Sequence, residues 1–406
     1  MKKIIFVMFI IVVFLPGCSL KGSDTGNAAK SSTPGAKKEK IVLWSYYETE
    51  EQQSGLDMLV LEFNLSQDTY EASWEYHGPV TEFNKQLAIA INEKQLPDMV
   101  IIDNPDMRNY VEIGLFEDIT AQMIKRKDMN EYFPSVIGSV IYDNKYYGVP
   151  FCCNNTALIY NKDMFDAAGI NPPKDWEEFK AAAGKLTAEG RYGFAMSAIS
   201  GEQSAFQILP WILSAGENMD SLGGYATTRA YELIAGLVES GALSRDSINW
   251  SQNDVARKFI AEECAMMENG PWVLSALMEA DINYGMVRLP VDNKSVSVAG
   301  GENIGVLKGK NKAGALAFIN FYYQDEVMLR ICRQSNALPP KQALAAKLAE
   351  TNTEYKVFAE QMATSISRSS YEFWPEVTKD LSDGLFQVIT GERTPEEVSR
   401  NIRGME

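Results

Sequence analysis

The chain has 406 residues with 54 acidic against 38 basic side chains, a formal charge of −16, and one histidine. So acidic a surface excludes electrostatic binding of nucleic acid and gives no pull toward anionic lipid, while leaving neutral ligands open. Five cysteines without regular spacing and a lone histidine give no zinc-ligand set and no disulfide framework.

Lys2 and Lys3 precede an apolar run from Ile4 to Phe14. The run is shorter than the roughly 20 residues a bilayer span needs. A charged start, an apolar middle and a small-residue exit form a secretory signal, so residues 1–17 are expected to be removed. Loss of both lysines takes the charge from −16 to −18. The exit, Leu15-Pro16-Gly17-Cys18, resembles a bacterial lipobox, in which the cut falls before the cysteine and a lipid is attached to it. Cys18 is therefore the expected lipid-bearing N-terminus. Residues 18–40, rich in Gly, Ser, Thr, Ala and Lys with no apolar period, read as a flexible tether.

The chain beyond the tether is too long for one hydrophobic core, so two domains are expected. "IVLW" (41–44) reads as a buried strand, and Leu56, Leu59, Val60 and Phe63 mark one face of a helix. Tyr70, Ala72, Trp74 and Tyr76 alternate as in a strand. Phe83, Leu87, Ala90 and Ile91 restore the helical period before the buried strand "DMVIID". Strand, helix, strand, helix, strand predicts a mostly parallel α/β sheet. His77, in "WEYHGP", reads as a turn residue at a strand end.

A second block opens after "YYGVPF". "TALIY" (156–160) predicts a strand, and the helix after it closes at Gly169. In "KDWEEFKAAAGKL", Asp175 is the expected N-cap, with Glu178 completing a capping box; Trp176, Phe179, Ala183 and Leu186 are the buried stripe. "ARKFIAEECAMMENGPWVLSAL" predicts helix, short strand, turn at Asn269-Gly270, then a helix opened by Pro271. Residues 312–334 read as helix, and Trp374-Pro375 as an interruption of the mostly helical last third. Cys152, Cys153, Cys264 and Cys332 are expected to be buried free thiols.

No G-x-S-x-G, H-E-x-x-H or G-x-x-x-x-G-K-[ST] motif is present, and nothing near His77 supports a nucleophilic triad. A glycosidase needs only two carboxylates, so a secreted glycan-processing enzyme stays open as a rival, but no motif singles out a pair. No catalytic residue, metal ligand or cofactor is therefore assigned. The aromatics at predicted loop ends point elsewhere: Trp44, Tyr46, Tyr47, Phe206, Trp211, Trp272 and Trp374. Sugars present flat C–H faces that pack on rings, and hydroxyls that need Asp, Asn, Glu or Arg at the same cleft. "IVLW" runs into "SYYE" and "MVII" into "DNPD", which puts such side chains beyond the carboxyl ends of strands, where open α/β sheets bind ligands.

"YYGVPFCCNNTALIYNKDMFDAAGINPPKDWEEFKAAAGKLT" resembles the central signature of ABC-transporter extracellular solute-binding proteins of the family 1, maltodextrin-binding type. "CAMMENGPWVLSAL" resembles its second signature, and "GGENIGV" and "WPEVTKDLSDGLFQVITGERTPEE" match weaker segments. The resemblance implies two α/β lobes, each a mostly parallel sheet flanked by helices, with ligand between them. It implies crossings near 151–154, 298–301 and 355–358, so the first lobe takes residues 41–152 and 300–355 and the second 153–299 and 356–406. Carried over by position, the implied ligand-binding residues are Trp272, Asp103, Asn154, Trp374, Tyr46, Glu48, Phe206 and Glu302. Asn154 is neutral where maltodextrin-type relatives often carry Glu, which argues against maltose itself. The implied protein is an extracytoplasmic, monomeric receptor, held to the cell membrane by lipid, that binds a carbohydrate by hinge closure and delivers it to a permease. Alternatives within the binding class are a polyamine or a polyol phosphate.

Overall fold

The computed structural model describes residues 37–402, apart from 370 and 372. The signal segment, Cys18 and nearly all of the tether lie outside the described residues.

The strand Glu39–Ser45 is the first element. Thr49 then caps the helix Glu50–Ser66 in a reciprocal capping box with Gln52, and Leu56, Leu59 and Phe63 form its buried face. Together with Tyr70–Tyr76, Val80–Glu93 and Met99–Asp103, these elements realise the alternating pattern read from the sequence. The three strands run parallel. Two later strands complete a five-stranded sheet, in the order 70–76, 39–45, 99–103, 302–306, 148–150. Strand Glu302–Val306 is antiparallel to both of its neighbours. The period of two sorts the core: Met99 and Ile101 pack on one face of the sheet and Val100 and Ile102 on the other.

A second sheet has three strands, Met266–Asn269, Ala157–Asn161 and Tyr284–Val287, with 157–161 central. Leu158 and Met266 face the larger core, with Trp176, Phe179 and Trp211, while Ile159 and Met267 face a smaller one beneath Trp250 and Phe259. Both pairings of the central strand are antiparallel. The two-lobed α/β architecture thus stands, but its sheets are mixed in one lobe and antiparallel in the other, not mostly parallel. The reason is connectivity: the central strand leaves the junction of the lobes, and its neighbours run back toward it. Alternation reports which face a residue takes, not which way the neighbouring strand runs.

Smaller expectations are refined. Asp175 caps its helix, but the Glu178 carboxylate accepts from the Lys174 N–H, so the reciprocal box does not close. Residues 312–334 form two helices, Lys312–Tyr322 and Asp325–Gln334. Trp374-Pro375 opens the helix Trp374–Thr390, because a proline in the first turn forfeits no helical hydrogen bond. The four described cysteines are buried free thiols.

Between the sheets the chain segments pass close together. Asn154 and Gly300 exchange both backbone hydrogen bonds, and strand Val298–Ala299 pairs with Ile366–Ser367. Gly301 holds φ at +120°, and a Cβ there would lie 2.3 Å from the carbonyl oxygen of Cys152. Only glycine satisfies both the backbone angle and the contact.

Candidate functional site

The ends of both sheets meet at a cleft of about 170 Å³ that opens to solvent. Tyr46 and Glu48 enter from the loop after the first strand, and Asp103 from the end of strand Met99–Asp103. Glu302 opens the returning strand. From the other lobe come Trp272, in the turn after Met266–Asn269, and Phe206, from helix Glu202–Ser214. Asn154 lies at the crossing. Seven of the eight residues named from the sequence therefore line one cleft. The Gly270-Pro271-Trp272 run has a local reason: a Cβ on Gly270 would lie 2.0 Å from the Trp272 ring, so glycine lets the indole lie flat across the turn.

Trp374 does not reach the cleft. It is buried, and its indole Nε1–H donates to Glu202 Oε2 at 3.0 Å. Trp211 is likewise core, donating to Glu268, and Trp44 stacks on His77 with ring centroids 3.7 Å apart.

Arg368 and Glu202 were not singled out by the sequence. Arg368 is 2% exposed, and its Nε donates to Glu202 Oε1 at 2.6 Å. Its Nη1 donates to the Ala299 carbonyl at 2.5 Å, and its Nη2 lies 3.6 Å from Asp103 Oδ1. The guanidinium sits 4.3 Å over the Phe206 ring. Glu202 takes further donors from Trp374 and Thr378. No periodicity or motif could have linked Arg368 to Glu202, which stands 166 residues earlier.

Glu302 is buried among three donors. Tyr46 Oη donates to Oε1 at 3.1 Å, Tyr47 Oη to Oε2 at 3.3 Å and the Cys152 thiol to Oε2 at 2.6 Å. Burial pushes its carboxyl pKa up, against those donors and Arg368. Burial also holds Asp103 well above the usual carboxylate range; Arg368 opposes this, and Glu202, Asp106 and Glu302 add to it. Asp106, behind the wall, is pushed up to about 6, again chiefly by burial.

Four carboxylates thus share a cleft with one cation already committed to two of them. Among the described residues no lysine, histidine or second arginine lines it. Nor does any group of His, Cys, Asp or Glu among them form a metal-holding cluster.

Two lobes joined by crossing segments, with aromatic and polar side chains converging between them, define a two-lobed solute-binding protein. The chain belongs to the bacterial extracellular solute-binding protein family, whose pattern it matches over residues 59–359. It is similar to the sn-glycerol-3-phosphate-binding periplasmic protein UgpB of Rhizobium meliloti, 24% identical over 325 residues, covering 73% of this chain and 74% of that one. Its fold is similar to that of the GacH receptor of Streptomyces glaucescens GLA.O, solved unliganded and with acarbose. There the TM-score is 0.80 at 22% identity, over 90% of this chain and 97% of that one. Maltose-bound MalE3 of T. maritima gives a TM-score of 0.80 at 19% identity, over 89% and 97% of the two chains. No helix among the described residues is long and apolar enough to cross a membrane.

Proposed function

We propose that this protein is a carbohydrate receptor of an ABC importer. It takes an oligosaccharide between its lobes, closes on it and presents it to the permease without chemical change. The observation that carries this reading is the convergence of the Tyr46 and Trp272 rings with the polar groups of Asp103, Asn154 and Glu48 around one cleft, whose wall also holds Phe206 beneath Arg368. Rings cover the apolar faces of a sugar, and the polar groups replace water on its hydroxyls. Because ligand touches both lobes only when they shut, binding shifts the population toward the closed form. The named relatives include proteins for glycerol phosphate, acarbose and maltose. The single, already paired arginine and the four carboxylates around it disfavour a phosphate dianion here, which would need free cations.

A thermal-shift screen against mono-, di- and oligosaccharides, with glycerol phosphate and spermidine as controls, tests the class, because a tight ligand raises apparent stability by mass action. Stabilisation by glycerol phosphate alone would overturn the reading. Incubation with candidate glycans should release no new reducing ends. Trp272→Ala should weaken sugar binding by about 1–3 kcal/mol through lost stacking and burial, read by calorimetry. Unchanged affinity would remove Trp272 from the site.

The same proposal places the protein outside the cytoplasm as a monomer, tied to the cell membrane by lipid on Cys18. Cys18→Ala should release it into the soluble extracytoplasmic fraction, and a variant still sedimenting with membranes would refute the anchor.

A further inference from the structure

The cleft is a ligand site on grounds other than its charge, yet its charge is unbalanced in a way that a neutral sugar does not resolve. Asp103 has a side chain 18% exposed, and its carboxylate accepts no hydrogen bond from any described residue. Its one counter-charge, Arg368, lies 3.6 Å away and is held more closely by Glu202, at 2.6 Å. Arg368 cannot swing toward Asp103 without releasing Glu202 and the Ala299 carbonyl. Glu48 shares the cleft, and its carboxylate has no ion pair or hydrogen-bond donor among the described residues. Closing the lobes over such a site removes water from Glu48, which has no partner among the described residues, and from Asp103, which has only a share of Arg368, and burying an incompletely paired charge is costly.

We propose that the solute carries a basic amine on its saccharide or polyol frame, with the ammonium seated among Asp103, Glu48 and the rings of Tyr46 and Trp272. This rests on the carbohydrate reading and narrows it. A hydroxyl donates a hydrogen bond but brings no charge; an ammonium does both, and the faces of Tyr and Trp attract cations.

The test is calorimetry of the full chain at low salt with β-1,4-linked glucosamine oligomers, the same oligomers N-acetylated, cello-oligomers of equal length, and spermidine. The amine forms should bind at least about tenfold tighter than the acetylated and neutral ones, the worth of one charge-assisted hydrogen bond. Added salt should narrow that ratio, and Asp103→Asn should collapse it. Glu48→Gln, at an exposed position, gives a second reading should the Asp103 substitution fail to fold. Equal binding of amine, acetylated and neutral forms overturns the inference and leaves the carbohydrate reading standing. Binding of spermidine with no saccharide overturns that reading, and the saccharide frame with it.

Discussion

Arg368→Met should destabilise the folded protein by about 3–5 kcal/mol in urea unfolding at pH 7, the usual cost of removing one partner from a buried charge cluster. Methionine retains most of the aliphatic length and can still pack on Phe206, so the loss isolates the charge and its donors. Glu202 keeps two donors, Trp374 and Thr378, and is partly protected. Asp103 has no such reserve, since Arg368 is its only cation among the described residues. The deficit should therefore shrink as pH is lowered. Burial already raises Asp103, and loss of the arginine raises it further, so lowering the pH protonates it and removes the uncompensated charge. A variant as stable as the parent at pH 7 would show that the cluster is not a structural keystone.

Glu268 gives the second large effect, and its pH dependence runs in the same direction. It is fully buried in strand Met266–Asn269, with Thr156 Oγ1 donating to Oε1 and Trp211 Nε1 to Oε2, each at 2.7 Å. No cation pairs with it among the described residues. Burial raises its pKa from 4.5 to about 8, outweighing both donors. The folded state thus holds a proton that the unfolded chain gives up near the ordinary glutamate value. The stability from this group is complete below that value and is lost as pH rises toward about 8. Glu268→Gln should match the parent near pH 4.5 and exceed it at pH 8 by on the order of 3 kcal/mol, since the amide never ionises. It can still accept from Trp211 and donate to the Thr156 hydroxyl. Identical urea midpoints for the two proteins at both pH values would refute the burial argument.

The contrast between these residues shows how far the sequence could be read. Helix faces and strand alternation were legible because burial repeats with the local period: Leu56, Leu59 and Phe63 announced a helix, and "DMVIID" a buried strand. Tyr46 and Asp103 were legible as cleft residues because they lie at strand ends, and Trp272 and Glu302 because of the resemblance of their segments to the family's signatures. Strand direction in the second sheet was not legible, because it depends on the route of the whole chain. Arg368 and Glu268 were silent for a related reason. Each has its meaning from partners far away in the chain, and nothing in "ISRSS" or "MMENG" marks a buried charge. Trp374 was misplaced for the same cause: a large ring near the expected position packs behind the wall, holding Glu202.

The crossing at Asn154, Gly300 and Gly301 has a mechanical consequence. Asn154 and Glu302 line the cleft, yet one belongs to the crossing and the other adjoins it, so in the closure proposed above these walls would have almost no lever arm about the axis of rotation. A solute pressing on them acts on the pivot itself, whereas one held by Trp272 or Glu48 acts at the rim. Changes at the rim can retune affinity while leaving the open–closed balance alone. Changes at the pivot alter both at once, so a receptor of this build can diversify its cargo more freely from the outside of its cleft inward.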